Sequence, residues 1–290
     1  MRKIKFTKMQ GIGNDYVYVD AVAENLPDDT EYLAELSRKI SDRHFGVGGD
    51  GMILIAKSDL APFRMRIFNL DGSEAQMCGN GLRCFAKYVF DKGMIDTSEF
   101  SVETGAGLLG VSLYLDENDK VLEVQINMGK PDFSASSLPV KIDGLDTVIN
   151  HKIQVFDREF AINCVSIGNP HCIVYLDESE DLKAFDLTKY GKAIQELSIF
   201  PEKTNVEFVK IMSETEVFQR TWERGSGETL ACGTGASAVF AMSRKLGYFK
   251  DSATIQLLGG DLKMSVSPET GEILKKGTAE FVFTGTYFYH

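Results

Sequence analysis

Alternating hydrophobic and polar positions dominate this chain. Short segments in which every second residue is apolar are typical of strands with one buried face. They predict strands at 16–20, 52–56, 64–68, 108–116, 121–128, 172–177, 206–211, 217–222, 254–258 and 281–285. Helical spacing is rarer and predicts helices at 31–40, 81–93, 184–198 and 235–247. The second and fourth of these helices end in glycine after a basic last turn, as helix C-termini commonly do.

The two halves of the sequence repeat one another. An offset of 155 superposes Ile12-Gly13-Asn14 on Ile167-Gly168-Asn169. An offset of 154 superposes identical residues, namely Arg66 on Arg220, Glu74 on Glu228, Cys78 on Cys232, Gly79 on Gly233, Gly81 on Gly235, Gly93 on Gly247 and Gly105 on Gly259. Chance matching of glycines does not explain why a cysteine, the glutamate before it and the helix-ending glycine agree at one offset. We therefore predict a duplication, in which each α+β half carries strands, one Cys-Gly-x-Gly turn and one long helix.

Length and composition agree with two globular domains. A chain of 290 residues, of which 43% are hydrophobic, can bury a core in each half. A net charge of −11 argues against binding to nucleic-acid backbones, which requires basic patches. No segment approaches the ~18 apolar residues that span a bilayer, and no apolar stretch follows the basic N-terminus as a signal peptide requires. We expect a cytoplasmic protein with neither a nucleic-acid partner nor a membrane association.

Two of the five cysteines stand apart from the others. Their odd number and the absence of C-x-x-C spacing predict no disulfide framework, and the histidines do not lie at ligand spacing for a metal. Cys78 and Cys232 each precede Gly-x-Gly and a helix. Unpaired N–H groups at a helix N-terminus favour an anion, so a thiol there typically has a lowered pKa. Cys84, Cys164 and Cys172 are expected to be buried apolar residues.

Two such turns, one from each duplicated half, predict a particular reaction. A pseudo-twofold axis would bring both helix N-termini to the cleft between the domains, where a carboxylate could accept N–H bonds from both. A cysteine would then lie on either side of the adjacent carbon. One thiolate could remove the α-proton while the other thiol returns a proton to the opposite face. N–H dipoles would stabilise the carbanion-like transition state. The pattern therefore predicts a cofactor-independent amino-acid epimerase.

Five motifs strengthen this interpretation. GIGNDYVYVD, FNLDGSEAQMCGNGLRC, GNPHC, TNVEF and ERGSGETLACGTGA together resemble the diaminopimelate epimerase family, and the resemblance runs through nearly the whole chain. It implies a homodimeric isomerase, with no pyridoxal phosphate and no metal, that interconverts LL- and meso-2,6-diaminopimelate for lysine and peptidoglycan precursor synthesis.

The resemblance also implies a fold. We expect the α+β class, with two pseudo-symmetric duplicated α/β domains, each a mostly antiparallel sheet wrapped around a central helix. The active site would lie in the interdomain cleft. The domains are expected over 1–123 and 124–278, with a C-terminal strand at 279–290 returning to the first domain.

Site roles follow from the resemblance residue by residue. Cys78 would be the proton donor and Cys232 the acceptor in the LL-to-meso direction. His171 and Glu223 would tune the pKa values of the thiols. The reacting carboxylate would be held by Gly79, Asn80, Gly233 and Thr234. The rest of the substrate would contact Asn14, Asn69, Asn169, Asn205, Glu223 and Arg224. The guanidinium of Arg224 suits the distal carboxylate of the substrate.

Three positions depart from the pattern of the family. Thr234 stands where serine is frequent, although the expected contact is largely with the backbone. Gly51 stands where many members have glutamine, so no binding role is assigned there. Phe283 stands where some members have a tyrosine that contributes to the dimer contact.

Two other functions remain open from the sequence. One is another two-cysteine racemase, acting on proline or hydroxyproline. The set of Asn69, Asn205 and Arg224 argues instead for a longer substrate with a second charged end. The other is a non-catalytic amino-acid-binding protein, which would not need a thiol in each half.

Overall fold

The computed structural model describes residues 1–142 and 144–290. The chain divides into two compact units. The N-terminal unit consists of Met1–Asn127 together with Lys276–His290, and the C-terminal unit consists of Met128–Lys275. The strand Val121–Asn127 continues unbroken past residue 123, where the sequence led us to expect a boundary. Among the described residues, no helix is long and apolar enough to cross a membrane.

Nine strands and two helices form the N-terminal unit, and we number all elements in chain order. The helices are α1 (Thr30–Ile40) and α2 (Gly79–Asp91). The strands are β1 (Arg2–Gly11), β2 (Asn14–Asp20), β3 (Gly51–Ala56), β4 (Phe63–Asn69), β5 (Glu74–Ala75), β6 (Glu99–Thr104), β7 (Gly107–Leu115), β8 (Val121–Asn127) and β18 (Glu280–Tyr289). The last strand returns to this unit and pairs antiparallel with β1.

The C-terminal unit is built in the same way. Its helices are α3 (Leu187–Gln195) and α4 (Gly233–Lys245). Its strands are β9 (His151–Val155), β10 (Arg158–Ser166), β11 (Pro170–Tyr175), β12 (Asn205–Ser213), β13 (Glu216–Glu223), β14 (Gly227–Thr229), β15 (Ser252–Leu257) and β16 (Gly260–Val266). A short 3-10 helix lies at Ala135–Ser137, and β17 (Ile273–Thr278) carries the chain back towards β18.

Strand pairing confirms the duplication. In the N-terminal unit β1–β2 and β3–β4 are antiparallel, whereas β2–β3 and β4–β6 are parallel. In the C-terminal unit β10–β11 and β12–β13 are antiparallel, whereas β11–β12 and β13–β15 are parallel. A parallel pair needs a crossover connection, and α1 and α3 occupy equivalent positions in the β2–β3 and β11–β12 crossovers. The strands of each unit thus pair mostly antiparallel, as expected, and each unit has two parallel pairings at positions that match those in the other.

A duplicated ion pair marks the same equivalence. Arg66 binds Glu74 at 2.7 Å in the N-terminal unit, and Arg220 binds Glu228 at 2.7 Å in the C-terminal unit. Each pair joins the strand before the cysteine turn to the short strand that leads into it. The coincident arginines and glutamates of the sequence therefore form one structural feature, built twice.

The long helix of each unit is buried on all sides along much of its length. Residues 79–86 of α2 and residues 235–243 of α4 are all buried. A helix that is enclosed all round belongs to the middle of a fold. Helix α2 packs against β1, β2 and β8, and α4 packs against β10, β11 and β12. This agrees with the expected sheet around a central helix, and it fixes the helix N-termini that carry the two cysteines.

Candidate active site

Cys78 caps the central helix of the N-terminal unit. Its backbone is extended (φ −138°, ψ 113°), which is the conformation of an N-cap residue, and its sulfur accepts the N–H of Gly81 at 3.3 Å. The thiol in turn donates to Oδ1 of Asn14 at 3.3 Å. Cysteine thus occupies a place where serine or aspartate is usual, so its sulfur lies at the positive end of the helix.

Asp50 holds the side chain of Asn14 in place. Its Nδ2 donates to Oδ2 of Asp50 at 2.6 Å, and the same oxygen accepts the backbone N–H of Asp15 at 3.1 Å. Arg43 binds both Asp15 and Asp50, at 2.7 Å and 2.9 Å. Asp50 therefore orients the amide so that its oxygen faces Cys78.

Two further predicted ligand residues lie in the N-terminal unit. Asn80 is buried and its Oδ1 accepts from Arg83 at 2.8 Å, while Nε of Arg83 donates to the carbonyl of Thr278 at 3.0 Å. Asn69 ends β4, and its Nδ2 donates to Ser73 at 3.0 Å. The structure thus brings Asn14 directly onto Cys78, whereas Asn69 contacts a neighbouring loop residue.

Cys232 repeats the geometry of Cys78 in the C-terminal unit. Its backbone is extended (φ −111°, ψ 109°), and its sulfur accepts the N–H of Gly235 at 3.3 Å. The hydroxyl of Thr234 lies 3.5 Å from the sulfur. Cys232 is buried whereas Cys78 is partly exposed. The cap geometry is equivalent, but the surroundings of the two thiols differ.

Behind Cys232 lies a row of polar side chains. Nδ2 of Asn169 donates to Thr234 at 3.3 Å, and Oδ1 of Asn169 lies 2.9 Å from Nε2 of His171. The other ring nitrogen, Nδ1, lies 2.7 Å from Oε1 of Glu207. His171 and Glu207 both have no exposed surface. The predicted residues Asn169 and His171 are therefore joined to the cysteine through Thr234.

The electrostatic surroundings of Cys232 run against one expectation. A helix N-terminus should lower the pKa of a thiol, but burial, followed by the charges of Glu223 and Glu207, raises the pKa of Cys232 well above its usual value. The expected lowering is therefore wrong for this thiol. Burial also raises the pKa of Glu223, and the hydroxyl of Thr229, which donates to Glu223 at 2.5 Å, opposes that rise.

Two of the three residues expected at the distal end of the substrate, Asn205 and Arg224, are linked by one amide. Oδ1 of Asn205 accepts the backbone N–H of Arg224 at 2.8 Å, and its Nδ2 donates to the carbonyl of Pro170 at 3.0 Å. The guanidinium of Arg224 is exposed and donates to the carbonyl of Glu202 at 3.3 Å. Asn205 thus fixes the turn that carries Arg224, and its second N–H still points away from Pro170.

Comparison with known proteins decides the family. The model of the family "Diaminopimelate epimerase" matches residues 6–134 and 163–282. This chain belongs to the diaminopimelate epimerase family. It is 48% identical over 282 residues to the diaminopimelate epimerase of Methanococcus maripaludis, with 97% of this chain and 99% of that one covered. It is 47% identical over 288 residues to the enzyme of that name from Agathobacter rectalis, covering 97% and 98%.

Solved structures of proteins with much lower identity share the fold of this diaminopimelate epimerase family member. A PhzF-family phenazine biosynthesis protein of Bacillus anthracis superposes with a TM-score of 0.72 at 18% identity, with 100% of both chains covered. A hydroxyproline epimerase of Agrobacterium vitis superposes with a TM-score of 0.69 at 16% identity, covering 99% of this chain and 91% of that one. The duplicated fold predicted from the sequence is therefore confirmed.

Three residues near the thiols of this diaminopimelate epimerase family member escaped the sequence analysis. Asp50 directly precedes Gly51, to which no binding role was assigned. Glu207 lies within the motif TNVEF, of which only Asn205 was singled out. Tyr16 corresponds to His171 at the offset of 155 residues; it is buried, and burial together with nearby Cys78 raises its pKa. Extending the repeat alignment by two residues would have identified Tyr16.

The departures from the family pattern have local explanations. A Cβ on Gly51 would come within 2.2 Å of the carbonyl of Phe68, so the backbone leaves no room for a side chain there. Phe283 is 48% exposed, and its ring packs edge-on against Phe6 at 5.7 Å. Cys84, Cys164 and Cys172 are buried, as expected, and all five cysteines are free thiols.

Proposed function

We propose that this chain interconverts LL- and meso-2,6-diaminopimelate, with Cys78 and Cys232 as its two acid–base groups. One observation carries the proposal: in a member of this family, both thiols cap equivalent helices, and each accepts an N–H from the third residue of its helix at 3.3 Å. A binding protein would need no such matched pair. In the LL-to-meso direction Cys232 removes the α-proton and Cys78 returns a proton to the opposite face.

The reacting carboxylate lies, in this proposal, against the first turns of α2 and α4. The first N–H groups of a helix have no partners within that helix. Gly79 with Asn80 and Gly233 with Thr234 begin the two helices. Their N–H groups would stabilise the charge that develops on the carboxylate as the α-proton leaves. The absence of a side chain on Gly79 and Gly233 lets the carboxylate approach the backbone closely.

Substrate binding also prepares Cys232 in this scheme. Burial, and after it the charge of Glu223, raises the pKa of the thiol. The α-ammonium group of the substrate would pair with Glu223 and cancel that negative charge. This pairing would lower the pKa of Cys232 and so favour the thiolate that acts as the base. In the reverse direction, the thiolate of Cys78 removes the proton.

The distal end of the substrate carries a second amine and a second carboxylate. We assign its carboxylate to Arg224, whose guanidinium is exposed and whose backbone is fixed by Asn205. We assign amide contacts along the substrate to Asn14, Asn69 and Asn169. A substrate with a single amino-acid end, such as proline, would leave Arg224 without its carboxylate.

We also propose that the chain acts as a cytoplasmic homodimer. The strand β18 of the N-terminal unit exposes four large apolar side chains, Phe281 (37%), Val282 (54%), Phe283 (48%) and Phe288 (48%). Exposed apolar patches mark interaction surfaces, and a second copy of the chain is the occupant that we propose. Sedimentation of the wild-type protein and of Val282→Asp tests this, with a dimer expected for the first and a monomer for the second.

Incubation of LL-diaminopimelate with the protein in heavy water, without added cofactor, tests the reaction. The expected product is the meso isomer carrying solvent deuterium at one α-carbon. Proline offered under the same conditions serves as the control, and its α-proton should not exchange. Exchange of proline in preference to diaminopimelate, or no exchange with either, contradicts the proposal.

A further inference from the structure

The buried carboxylate of Glu207 is the feature of this molecule that the reaction scheme leaves unused. It lies on β12, has no exposed surface, and its Oε1 is 2.7 Å from Nδ1 of His171. Within the described part of the chain, its other oxygen, Oε2, has no hydrogen-bond donor. Burying a carboxylate with so few partners is costly. Such a group needs a local reason to be where it is.

The position of Glu207 connects it with the cysteine turn. A Cβ on Gly235 would lie 2.7 Å from Oε1 of Glu207, so the carboxylate packs directly against the first turn of α4. Gly235 is also the residue whose N–H binds the sulfur of Cys232. Glu207 therefore contacts the turn that holds the sulfur of Cys232, and it also contacts the ring of His171.

The hydrogen bonds beyond His171 have a fixed direction. Oδ1 of Asn169 can only accept, so Nε2 of His171 must donate to it across 2.9 Å. Nδ2 of Asn169 donates to the hydroxyl of Thr234 at 3.3 Å. That hydroxyl keeps its own proton, and the sulfur of Cys232 lies 3.5 Å away. The hydroxyl of Thr234 can donate that proton to the sulfur or accept the proton of the thiol, and the donors of His171 and Asn169 both point towards Thr234.

The ring of His171 sets this direction. If Nε2 carried no proton, the amide of Asn169 would have to turn over to donate to it. Oδ1 would then face Thr234 and take its hydroxyl proton away from Cys232. Glu207 prevents this, because a single proton shared between Oε1 and Nδ1 leaves Nε2 with its own proton.

We propose that Glu207 is a positioning residue for Cys232. It holds the ring of His171 so that Nε2 donates to Asn169, and the hydrogen bonds through Asn169 and Thr234 then end on the sulfur. The inference rests on the proposed role of Cys232 as an acid–base group. The charge of Glu207, after burial and the charge of Glu223, also raises the pKa of Cys232, but the positioning role depends on the hydrogen bond to His171. In the described chain the charged groups that act on Cys232 are Glu223 of β13 and Glu207 of β12, and the titratable ring of His171 on β11 lies against Glu207.

Two substitutions separate a hydrogen bond from a charge. Glu207→Leu and Glu207→Gln both remove the negative charge, but only glutamine can hydrogen-bond the ring, by donating an amide proton to Nδ1. We expect Glu207→Leu to lower kcat about tenfold or more with little change in KM, and Glu207→Gln to stay within about threefold of the wild type. Glu180→Gln is the matched control, since it removes a carboxylate bound to Arg158 at 2.7 Å in the same unit, and it should leave kcat unchanged.

Alkylation of the thiols provides a second measurement. Iodoacetamide labelling of the Cys232 peptide is followed against pH by mass spectrometry, with the Cys78 peptide as internal reference. Both variants lose the negative charge of Glu207, and this loss lowers the midpoint for Cys232 in each. Only Glu207→Leu also loses the donor to the sulfur, so its midpoint should lie about one pH unit above that of Glu207→Gln. Equal downward shifts in both variants would show that Glu207 acts by charge alone, and no shift in either would show that it does not act on Cys232. Either result overturns the proposal.

The wild-type protein offers a test that needs no altered carboxylate. With nitrogen-15 in its histidines, NMR reports which ring nitrogens of His171 carry a proton, and His171→Gln assigns the signals. Nε2 should be protonated at neutral pH, and an unprotonated Nε2 would overturn the proposal. This readout is independent of catalysis. If Cys232→Ala retains activity, the proposed function fails; if Cys232→Ala is inactive but the ring and the alkylation profile do not respond as stated, only the role of Glu207 fails.

Discussion

The thiol of Cys78 donates to Oδ1 of Asn14 at 3.3 Å, and Nδ2 of that amide donates to Asp50 at 2.6 Å. The amide of Asn14 is therefore held with its oxygen on the sulfur. Among the residues that the structure describes, Cys232 has no direct amide partner of this kind, because Thr234 lies between it and Asn169. The two thiols share a cap geometry but have different neighbours, and this difference yields predictions that treat them separately.

Removal of the Asn14 amide should impair catalysis without unfolding the protein. Asn14→Ala deletes a hydrogen-bond partner of Cys78 and a proposed substrate contact, so kcat/KM should fall about 10–100-fold. Steady-state rates with LL-diaminopimelate give the measurement. Asn118→Ala is the control and should behave as wild type. Asn118 lies in an exposed turn, and its backbone N–H binds Asp116. A value of kcat/KM for Asn14→Ala close to that of the control would contradict the contact's role.

The pH dependence of Cys232 should respond to Glu223. Burial raises the pKa of Cys232, and the negative charge of Glu223 raises it further, because a nearby carboxylate disfavours a thiolate. Glu223→Gln removes that charge, so the pKa of the thiol should fall. The alkylation midpoint of the Cys232 peptide should move to lower pH, with the Cys78 peptide as reference. An unchanged or higher midpoint would show that the carboxylate does not act on the sulfur.

Gly81 and Gly235 occupy equivalent positions but should differ in their tolerance of alanine. A Cβ on Gly81 would meet the terminal methyl of Ile53 at 2.5 Å, and a side-chain end can move. A Cβ on Gly235 would meet Oε1 of Glu207 at 2.7 Å and Nε2 of Gln219 at 3.0 Å, both on buried polar groups. Displacing them breaks hydrogen bonds that have no solvent to replace them.

Gly235→Ala should therefore lower the free energy of unfolding by about 2 kcal/mol and reduce kcat, whereas Gly81→Ala should cost less than about 1 kcal/mol. Denaturant unfolding and steady-state kinetics on the two variants give the comparison. Equal losses in both would mean that the buried carboxylate below Gly235 has no particular effect on the turn.

Local sequence patterns predicted most of what surrounds the cysteines. The coincidence of Arg66 with Arg220 and of Cys78 with Cys232 indicated the duplication, because residues that pair or cap within one supersecondary unit are close in sequence. The caps themselves followed from a cysteine placed directly before Gly-x-Gly and a helix. These features depend on neighbours along the chain, so one sequence is enough to find them.

What the sequence did not reveal depends on buried polar groups and on distant partners. Strand β1 was missed because its buried side includes Lys8, which binds Asp15 at 2.5 Å. Strand β10 was not predicted. One reason is that Asn163 is buried, and its amide binds the backbone of Asn150 and Ile173. A polar residue that is satisfied inside the fold is indistinguishable from a surface residue in the sequence. Glu207 was overlooked for the same reason: it is a buried polar residue, and its partner His171 lies on another strand.

The requirement for both thiols is the central claim, and two single substitutions measure it most directly. Cys78→Ala and Cys232→Ala are assayed for conversion of LL- to meso-diaminopimelate, with Cys84→Ala and Cys164→Ala as buried-cysteine controls. Each of the first two should lower kcat at least ~1,000-fold while circular dichroism remains that of the wild type, and the controls should stay active. Substantial activity in either Cys78→Ala or Cys232→Ala would contradict a reaction in which one thiol removes the proton and the other returns it.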